Sequence, residues 1–109
     1  MSMQRCWPPA HLDDADRTSD AALFKALADP HRLAIIATLA RAEHVCVCDF
    51  TEGLPLEQST VSHHLKLLRD ANLVTSERRG TWVFYALASD ARERLSHALA
   101  ALLPEKVSV

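Results

Sequence analysis

The sequence predicts a mainly α-helical fold with one small β-hairpin, in the order α-α-α-α-β-β-α. Three observations lead to this prediction. Apolar residues recur three and four positions apart along most of residues 20–71, as expected for helices that each bury one face. Residues 74–87 instead contain two runs rich in β-branched and aromatic residues around a glycine. A helical pattern then returns after Ser89 and stops at Pro104.

Length and composition indicate how the chain is organised. It has 109 residues, of which 49% are hydrophobic and 24% charged, as is usual for one globular domain. We expect a mobile N-terminal arm over residues 1–18, a folded domain over residues 19–103 and a tail over residues 104–109. No segment has the ~18 consecutive apolar residues of a membrane span, and none resembles a signal peptide. The sequence therefore predicts a cytoplasmic protein without membrane contact.

Four helices are predicted before the hairpin, and they cover about residues 18–28, 30–42, 46–53 and 58–71. The second helix has a clear start signal, because Asp29 can accept orphan amide hydrogen bonds and Pro30 lacks an amide hydrogen that would go unpaired. In the fourth helix, Val61, Leu65 and Leu68 form an apolar stripe. The polar residues of this helix should therefore face solvent or a partner.

The hairpin and the last helix complete the predicted order. Strands are expected over Val74–Arg79 and Trp82–Leu87, with Gly80 in the turn because glycine tolerates positive φ. The pair Ser89–Asp90 should cap a last helix that ends near Leu103.

Two short helices separated by a tight turn have the proportions of a helix-turn-helix, and the hairpin behind them could act as a wing. The net charge of −2 argues against a nucleic-acid partner, but residues 56–88 carry four basic and three acidic side chains. The alternative is that the polar helix face is merely solvated. The contiguous order favours DNA binding, with these candidate contacts: Gln58, Ser59, Thr60, Ser62, His63, Lys66, Arg78 and Arg79.

Four segments closely resemble the arsenic-repressor (ArsR/SmtB) family of metal-sensing regulators: ALADPHRL at 26–33, CVCD at 46–49, QSTVSHHLKLLR at 58–69 and RGTWVFY at 79–85. The resemblance extends over roughly residues 20–103. It implies a homodimeric winged helix-turn-helix repressor, paired through its first and last helices on double-stranded DNA with a palindromic operator. Metal binding would lower the affinity for DNA. Glu57 departs from the family pattern, which often has a capping Ser there.

Cys46 and Cys48 are the candidate ion ligands. Two residues on a regular helix are separated by about 200° of rotation, which is too divergent for chelation. At a fraying helix start, or with one residue extended, both sulfurs can turn towards one ion. The helix N-terminus should also lower their pKa and favour the thiolate, which selects soft ions. The alternative is that both are small buried hydrophobic residues.

Cys6, on the predicted arm, is the remaining thiol. The arm could fold over the third helix of its own or of the partner chain, as the resemblance implies for some family members, or Cys6 could be a plain arm residue. Three sulfurs suit a trigonal pyramidal ion such as As(III) or Sb(III), with Cd(II) or Pb(II) as alternative inducers. Zn(II) and Cd(II) prefer four ligands and would need His44, His11 or water.

Other functions are less favoured by the sequence. The second metal site of the family requires a His where this chain has Arg92 after Asp90, so His97 is expected to be a surface or interface residue. A thiol redox protein is disfavoured because Cys-x-Cys closes a strained ring, and a thiol-oxidation trigger on the same fold remains an alternative. No nucleophile motif or phosphate loop indicates an enzyme, and no organic cofactor is expected.

Overall fold

The computed structural model describes residues 16–53 and 55–105. The elements are α1 (Thr18–Leu27), α2 (Pro30–Leu39), β1 (Val45–Cys46), α3 (Val47–Gly53), α4 (Gln58–Asp70), β2 (Val74–Arg79), β3 (Trp82–Leu87) and α5 (Ala91–Leu102). The predicted order of five helices and a hairpin is confirmed. Cys6, His11 and most of the predicted arm and tail lie outside the described residues.

The sequence prediction omitted one element, the two-residue strand β1. It pairs antiparallel with β3, so that the sheet has three strands in the order β1-β3-β2. Val45 lies opposite Tyr85, and Cys46 lies opposite Phe84. Cys46 therefore ends a strand, whereas the sequence prediction started a helix there. A two-residue strand is too short to produce the alternation by which strands are recognised.

Local signals explain how the helices begin and end. The carboxylate of Asp29 accepts hydrogen bonds from the amides of His31 and Arg32, at 2.9 and 3.1 Å, so the predicted cap of α2 is confirmed. At the end of α4, the amide of Leu73 donates to the carbonyl of Leu68 at 3.0 Å, and Asn72 has a φ of 60°. This arrangement is a Schellman motif, which satisfies carbonyls at the helix end and turns the chain into β2.

Some predicted details are wrong. Helix α2 ends at Leu39 rather than near Ala42, and α5 ends one residue before Leu103. Asp90 precedes α5 but makes no side-chain capping bond, so the predicted cap is not formed. None of the helices in the described part of the chain is both long and apolar enough to cross a membrane.

The core lies between the helices and one face of the sheet. Its central side chains are fully buried: Ile35, Val61, Leu65, Leu68 and Leu73. The apolar stripe predicted for α4 is therefore confirmed, and it faces the core. Val45, Val74 and Tyr85 line this core from the sheet. Burial of the stripe fixes the rotation of α4 and directs its other side outwards.

Candidate DNA interface and thiol site

Helices α3 and α4 form the helix-turn-helix, and α4 is the recognition helix. Because its apolar stripe is buried, most of the predicted DNA contacts are exposed, and Ser62 is half-buried. The exposed ones on this helix are Gln58, Ser59, Thr60, His63 and Lys66. The ammonium of Lys66 also lies 2.9 Å from the carboxylate of Asp70 on the same helix. Glu57, at the N-cap, makes no side-chain capping bond.

Strands β2 and β3 form the wing, closed by a two-residue turn. Gly80 in the turn has a φ of 64°, a conformation that L side chains rarely adopt. Arg78 and Arg79 are both exposed near the tip. Arg79 is also held in place, because its Nη2 lies 2.9 Å from Oε1 of Glu77 and its Cζ lies 5.4 Å from the ring centroid of Phe84.

Trp82 is a wing residue that sequence reasoning assigned only to a strand. It lies directly opposite Arg79 at the tip, and 56% of its surface is exposed. Alternation along β3 could have indicated this exposure, because Trp82 lies two residues before Phe84 and therefore projects from the sheet face away from the core.

The two adjacent histidines of the recognition helix have different surroundings. His63 is exposed, whereas only 12% of the His64 side chain is exposed. His64 is packed against the start of α2, beside Asp29 and Arg32. Burial, together with the charge of Arg32, lowers the pKa of His64, although Asp29 acts in the opposite direction. Of the two, His63 is therefore the one that remains accessible at the helix surface.

The thiol pair lies where β1 meets α3. Cys46 is the last residue of β1 and is 5% exposed, whereas Cys48 is exposed in the first turn of α3. Cys46 is extended and Cys48 is helical, which is the arrangement in which both sulfurs can turn towards one ion. The alternative that both are buried hydrophobic residues does not fit Cys48.

Asp49 supports this arrangement from the same turn. Its Oδ2 accepts a hydrogen bond from the amide of Cys46 at 3.2 Å. A hydrogen bond with the Cys46 side chain raises the pKa of Cys48 most, and partial desolvation and the charges of Cys46 and Asp49 raise it further. The prediction that the helix start would lower this pKa is therefore wrong for Cys48. Two neighbouring sulfurs, one of them exposed, nevertheless fit a soft ion.

A group of possible metal ligands that sequence reasoning missed joins the start of α2 to the recognition helix. Oδ2 of Asp29 lies 3.9 Å from Nδ1 of His31 and 3.9 Å from Nε2 of His64. Two imidazoles and a carboxylate are typical ligands for first-row divalent ions. However, Nη1 of Arg32 lies 3.2 Å from Nδ1 of His64, and its positive charge opposes a cation there.

Other candidate ligands are less closely grouped. His44 is exposed two residues before Cys46. Asp90 and His97 both line an open groove between α1 and α5, where Arg94 also contributes a positive charge. Cys6 lies outside the described residues, so its part in the thiol site stays a prediction.

Comparison with known proteins identifies the family. The model of the bacterial regulatory protein family arsR matches residues 29–76. An HTH-type transcriptional regulator of Methanocaldococcus jannaschii, itself uncharacterised, is 43% identical over 70 residues, which cover 64% of this chain and 79% of that protein. The chain belongs to the ArsR family. It is therefore one of a family of DNA-binding transcriptional regulators and not of enzymes.

Two further relatives of this ArsR-family chain are informative. The arsenical resistance operon repressor of Bacillus subtilis is 53% identical over 64 residues, which cover 59% of this chain but only 61% of that repressor. Among solved structures, reduced HlyU from Vibrio cholerae is 31% identical with a TM-score of 0.65, and the match covers 81% of this chain and 92% of that one. The winged helix-turn-helix fold predicted from the sequence is thereby confirmed.

Proposed function

We propose that this protein is a homodimeric transcriptional repressor that leaves its operator when its cysteines capture a thiophilic ion, As(III) or Sb(III). The observation that carries the proposal is the position of the two thiols. Cys46 and Cys48 flank the start of α3, the first helix of the helix-turn-helix. An ion bound there acts on the element that positions the recognition helix.

The recognition helix and the wing offer two kinds of DNA contact. The exposed polar side chains in the first half of α4 carry donors and acceptors suited to base edges in a major groove. Arg78 and Arg79 at the wing tip are suited to phosphates. Because Lys66 and Arg79 already have acidic neighbours, we expect the protein to bind DNA with modest affinity.

A thiol whose pKa is raised, as that of Cys48 is, suits trivalent arsenic. Arsenious acid, As(OH)3, exchanges hydroxide for sulfur: an As–O bond breaks, an As–S bond forms, and the thiol proton leaves with the hydroxide as water. The raised pKa of Cys48 does not hinder this exchange. Two such steps use Cys46 and Cys48, and a third would use Cys6 to complete a trigonal pyramid.

Dimerisation through α1 and α5 would give two recognition helices related by a two-fold axis, which is why we propose a palindromic operator. Helix α5 leaves Leu99 and Leu102 half-exposed, at 50% and 46%, so it has apolar surface for such a contact. We place the switch in the cytoplasm, where DNA is accessible and thiols stay reduced.

The test is a gel-shift titration on the DNA upstream of the protein's own gene, with arsenite, Cd(II) or Zn(II) added to the reduced protein. We expect arsenite to release the wild type and to leave Cys46→Ser and Cys48→Ser bound. Cys6→Ser should need more arsenite for release. Thr51→Ser is the control, since it alters α3 but keeps the hydroxyl that donates to the Cys48 carbonyl at 2.8 Å.

Other outcomes assign a different trigger or remove the proposal. Release by Cd(II) or Pb(II) but not by arsenite would assign a divalent ion, and release by peroxide alone would assign thiol oxidation. Oxidation is the weaker candidate because a disulfide between Cys46 and Cys48 would close a strained ring. Release of Cys46→Ser by arsenite at the wild-type concentration would contradict the role given to the thiols.

A further inference from the structure

The thiol site and the wing share one face of the sheet. Cys46 lies opposite Phe84, and Phe84 lies opposite Glu77, so their three side chains stand in a row across β1, β3 and β2. Arg79 is two residues from Glu77 and therefore projects from the same face. This face is turned away from the core. The core-facing side chains of the sheet, such as Val45 and Tyr85, alternate along the strands with the residues of this row.

The ring of Phe84 occupies the middle of this row. On one side, directly opposite residues have Cβ atoms about 5 Å apart, which brings the ring next to Cys46. On the other side, the guanidinium of Arg79 lies over the ring at 5.4 Å and is paired with Glu77 at 2.9 Å. The ring thus adjoins both a proposed ion ligand and a proposed DNA contact.

We propose that Phe84 is a positioning residue that transmits the state of the thiol site to Arg79 in the wing. This inference rests on the proposed function. Cys46 is nearly buried, at 5% exposed, and lies opposite Phe84, so we expect an ion bound to its sulfur to displace the packed ring beside it. Displacement of Phe84 removes the surface on which the Arg79 guanidinium rests. The wing then loses its phosphate contact, independently of any movement of α4.

The test compares Phe84→Leu with the wild type in the full-length protein. Leu keeps apolar volume but removes the ring face. Phe84→Tyr retains the ring and should restore coupling, and Val83→Ala is the control because Val83 is adjacent but on the opposite sheet face. Affinity for a labelled duplex of the DNA upstream of the gene is measured with and without arsenite, and arsenite binding is followed by native mass spectrometry.

We expect the wild type, Phe84→Tyr and Val83→Ala to lose DNA affinity on arsenite binding by a factor within the usual allosteric range of about 5–150. Phe84→Leu should bind arsenite as tightly as the wild type does. The decrease in the logarithm of its DNA association constant on arsenite binding should be less than half of the wild-type decrease. A second measurement, made without DNA, follows the fluorescence of the exposed Trp82, which lies opposite Arg79. The other tryptophan of the sequence, Trp7, is replaced by Phe so that only Trp82 contributes to the signal. Arsenite should change its fluorescence, and Phe84→Leu should abolish the change.

Each result decides a different question. If arsenite does not bind or does not release the wild type, the proposed function fails, and this inference fails with it. If the wild type is released and Phe84→Leu is released to the same extent, only the role of Phe84 is overturned. If Phe84→Leu no longer binds DNA, the Trp82 signal decides: an arsenite response equal to that of the parent protein overturns the proposal.

Discussion

Nη1 of Arg32, in the first turn of α2, lies 3.2 Å from Nδ1 of His64 on the recognition helix. A guanidinium can only donate, so Nδ1 must accept, and the proton of the neutral imidazole is assigned to Nε2 on the side of Asp29. Nε of Arg32 also donates to the Ala26 carbonyl at 2.7 Å. One arginine therefore joins α1, α2 and α4 and fixes the recognition helix against the core.

The two adjacent histidines should have different roles, which alanine substitution can separate. His63→Ala should weaken binding to the specific duplex on the order of tenfold, because an exposed hydrogen-bonding side chain is lost from the DNA face. Its urea midpoint should not change. His64→Ala should lower the stability by about 1 kcal/mol, because Arg32 loses an acceptor. The interpretation is wrong if His63→Ala is the less stable variant.

The lowered pKa of His64 predicts a loss of stability in mild acid. Above the ordinary histidine pKa of about 6.5, both the folded and the unfolded states are neutral and His64 has no effect. As the pH falls below that value, the unfolded state takes up a proton that the folded state does not yet bind, so the free energy of unfolding decreases. Asp29, His31, His63 and Arg32 all contribute to the field at this site.

His64→Gln tests this pH dependence, because Gln offers an amide oxygen to Arg32 but does not titrate. Urea unfolding between pH 7 and pH 5 should show a smaller loss of stability for the variant than for the wild type. The slopes of the free energy of unfolding against pH should differ by an amount equivalent to the uptake of up to about one proton on unfolding. Thr38→Ser, an exposed substitution on α2 that changes no titratable group, is the control and should retain the wild-type slope. Parallel curves for wild type and His64→Gln would refute the linkage.

Which features the sequence could predict depends on how local their causes are. The cap at Asp29, the stripe of Val61 and Leu65 and the hairpin around Gly80 each arise from residues within one or two turns, and each was predicted. The strand β1 could not be predicted, because it exists only through pairing with a strand almost forty residues later. The Asp29–His64 proximity is of the same kind.

The thiol site shows the same limit. The CVCD motif indicated the ligands, but it did not indicate that a hydrogen bond with the Cys46 side chain, desolvation and the charges of Cys46 and Asp49 would raise the pKa of Cys48. The direction of this pKa shift depends mainly on how the two cysteine side chains meet where β1 joins α3, and periodicity does not encode this. The shared sheet face of Cys46 and Phe84 also depends on β1, so the link to the wing could not be inferred before the register was known.

Arg78 provides a test of the phosphate contact of the wing. Because an arginine–phosphate contact releases a counterion, Arg78→Ala should weaken binding to all DNA sequences similarly and reduce the slope of log affinity against log salt by about 1. Arg41→Ala is the control, since Arg41 is exposed in the loop between α2 and β1, away from the hairpin tip, and its guanidinium donates to the Ala37 carbonyl of α2 at 2.7 Å. An unchanged salt slope for Arg78→Ala would place the wing away from the DNA backbone.

The pH dependence of ion capture should distinguish trivalent arsenic from cadmium. Exchange of hydroxide on As(OH)3 for a thiol releases only water, so arsenite affinity should be nearly constant between pH 6 and pH 8. Cd(II) displaces a proton from each thiol, and its affinity should rise by about tenfold per pH unit for each protonated ligand. The raised pKa of Cys48 should extend this rise beyond the ordinary thiol value of about 8.5.

Asp49→Asn sharpens this comparison, because Asn retains an oxygen that can accept from the Cys46 amide while it removes the Asp49 charge, which contributes to the raised pKa of Cys48 after the effects of Cys46 and desolvation. In this variant the rise in Cd(II) affinity should level off at lower pH than in the wild type, and arsenite affinity should change little. Glu52→Gln, a charge loss of equal size on the same helix, is the control. Isothermal titration from pH 6 to pH 9 measures both affinities, and an arsenite affinity that rises as steeply as that of Cd(II) would contradict the exchange chemistry.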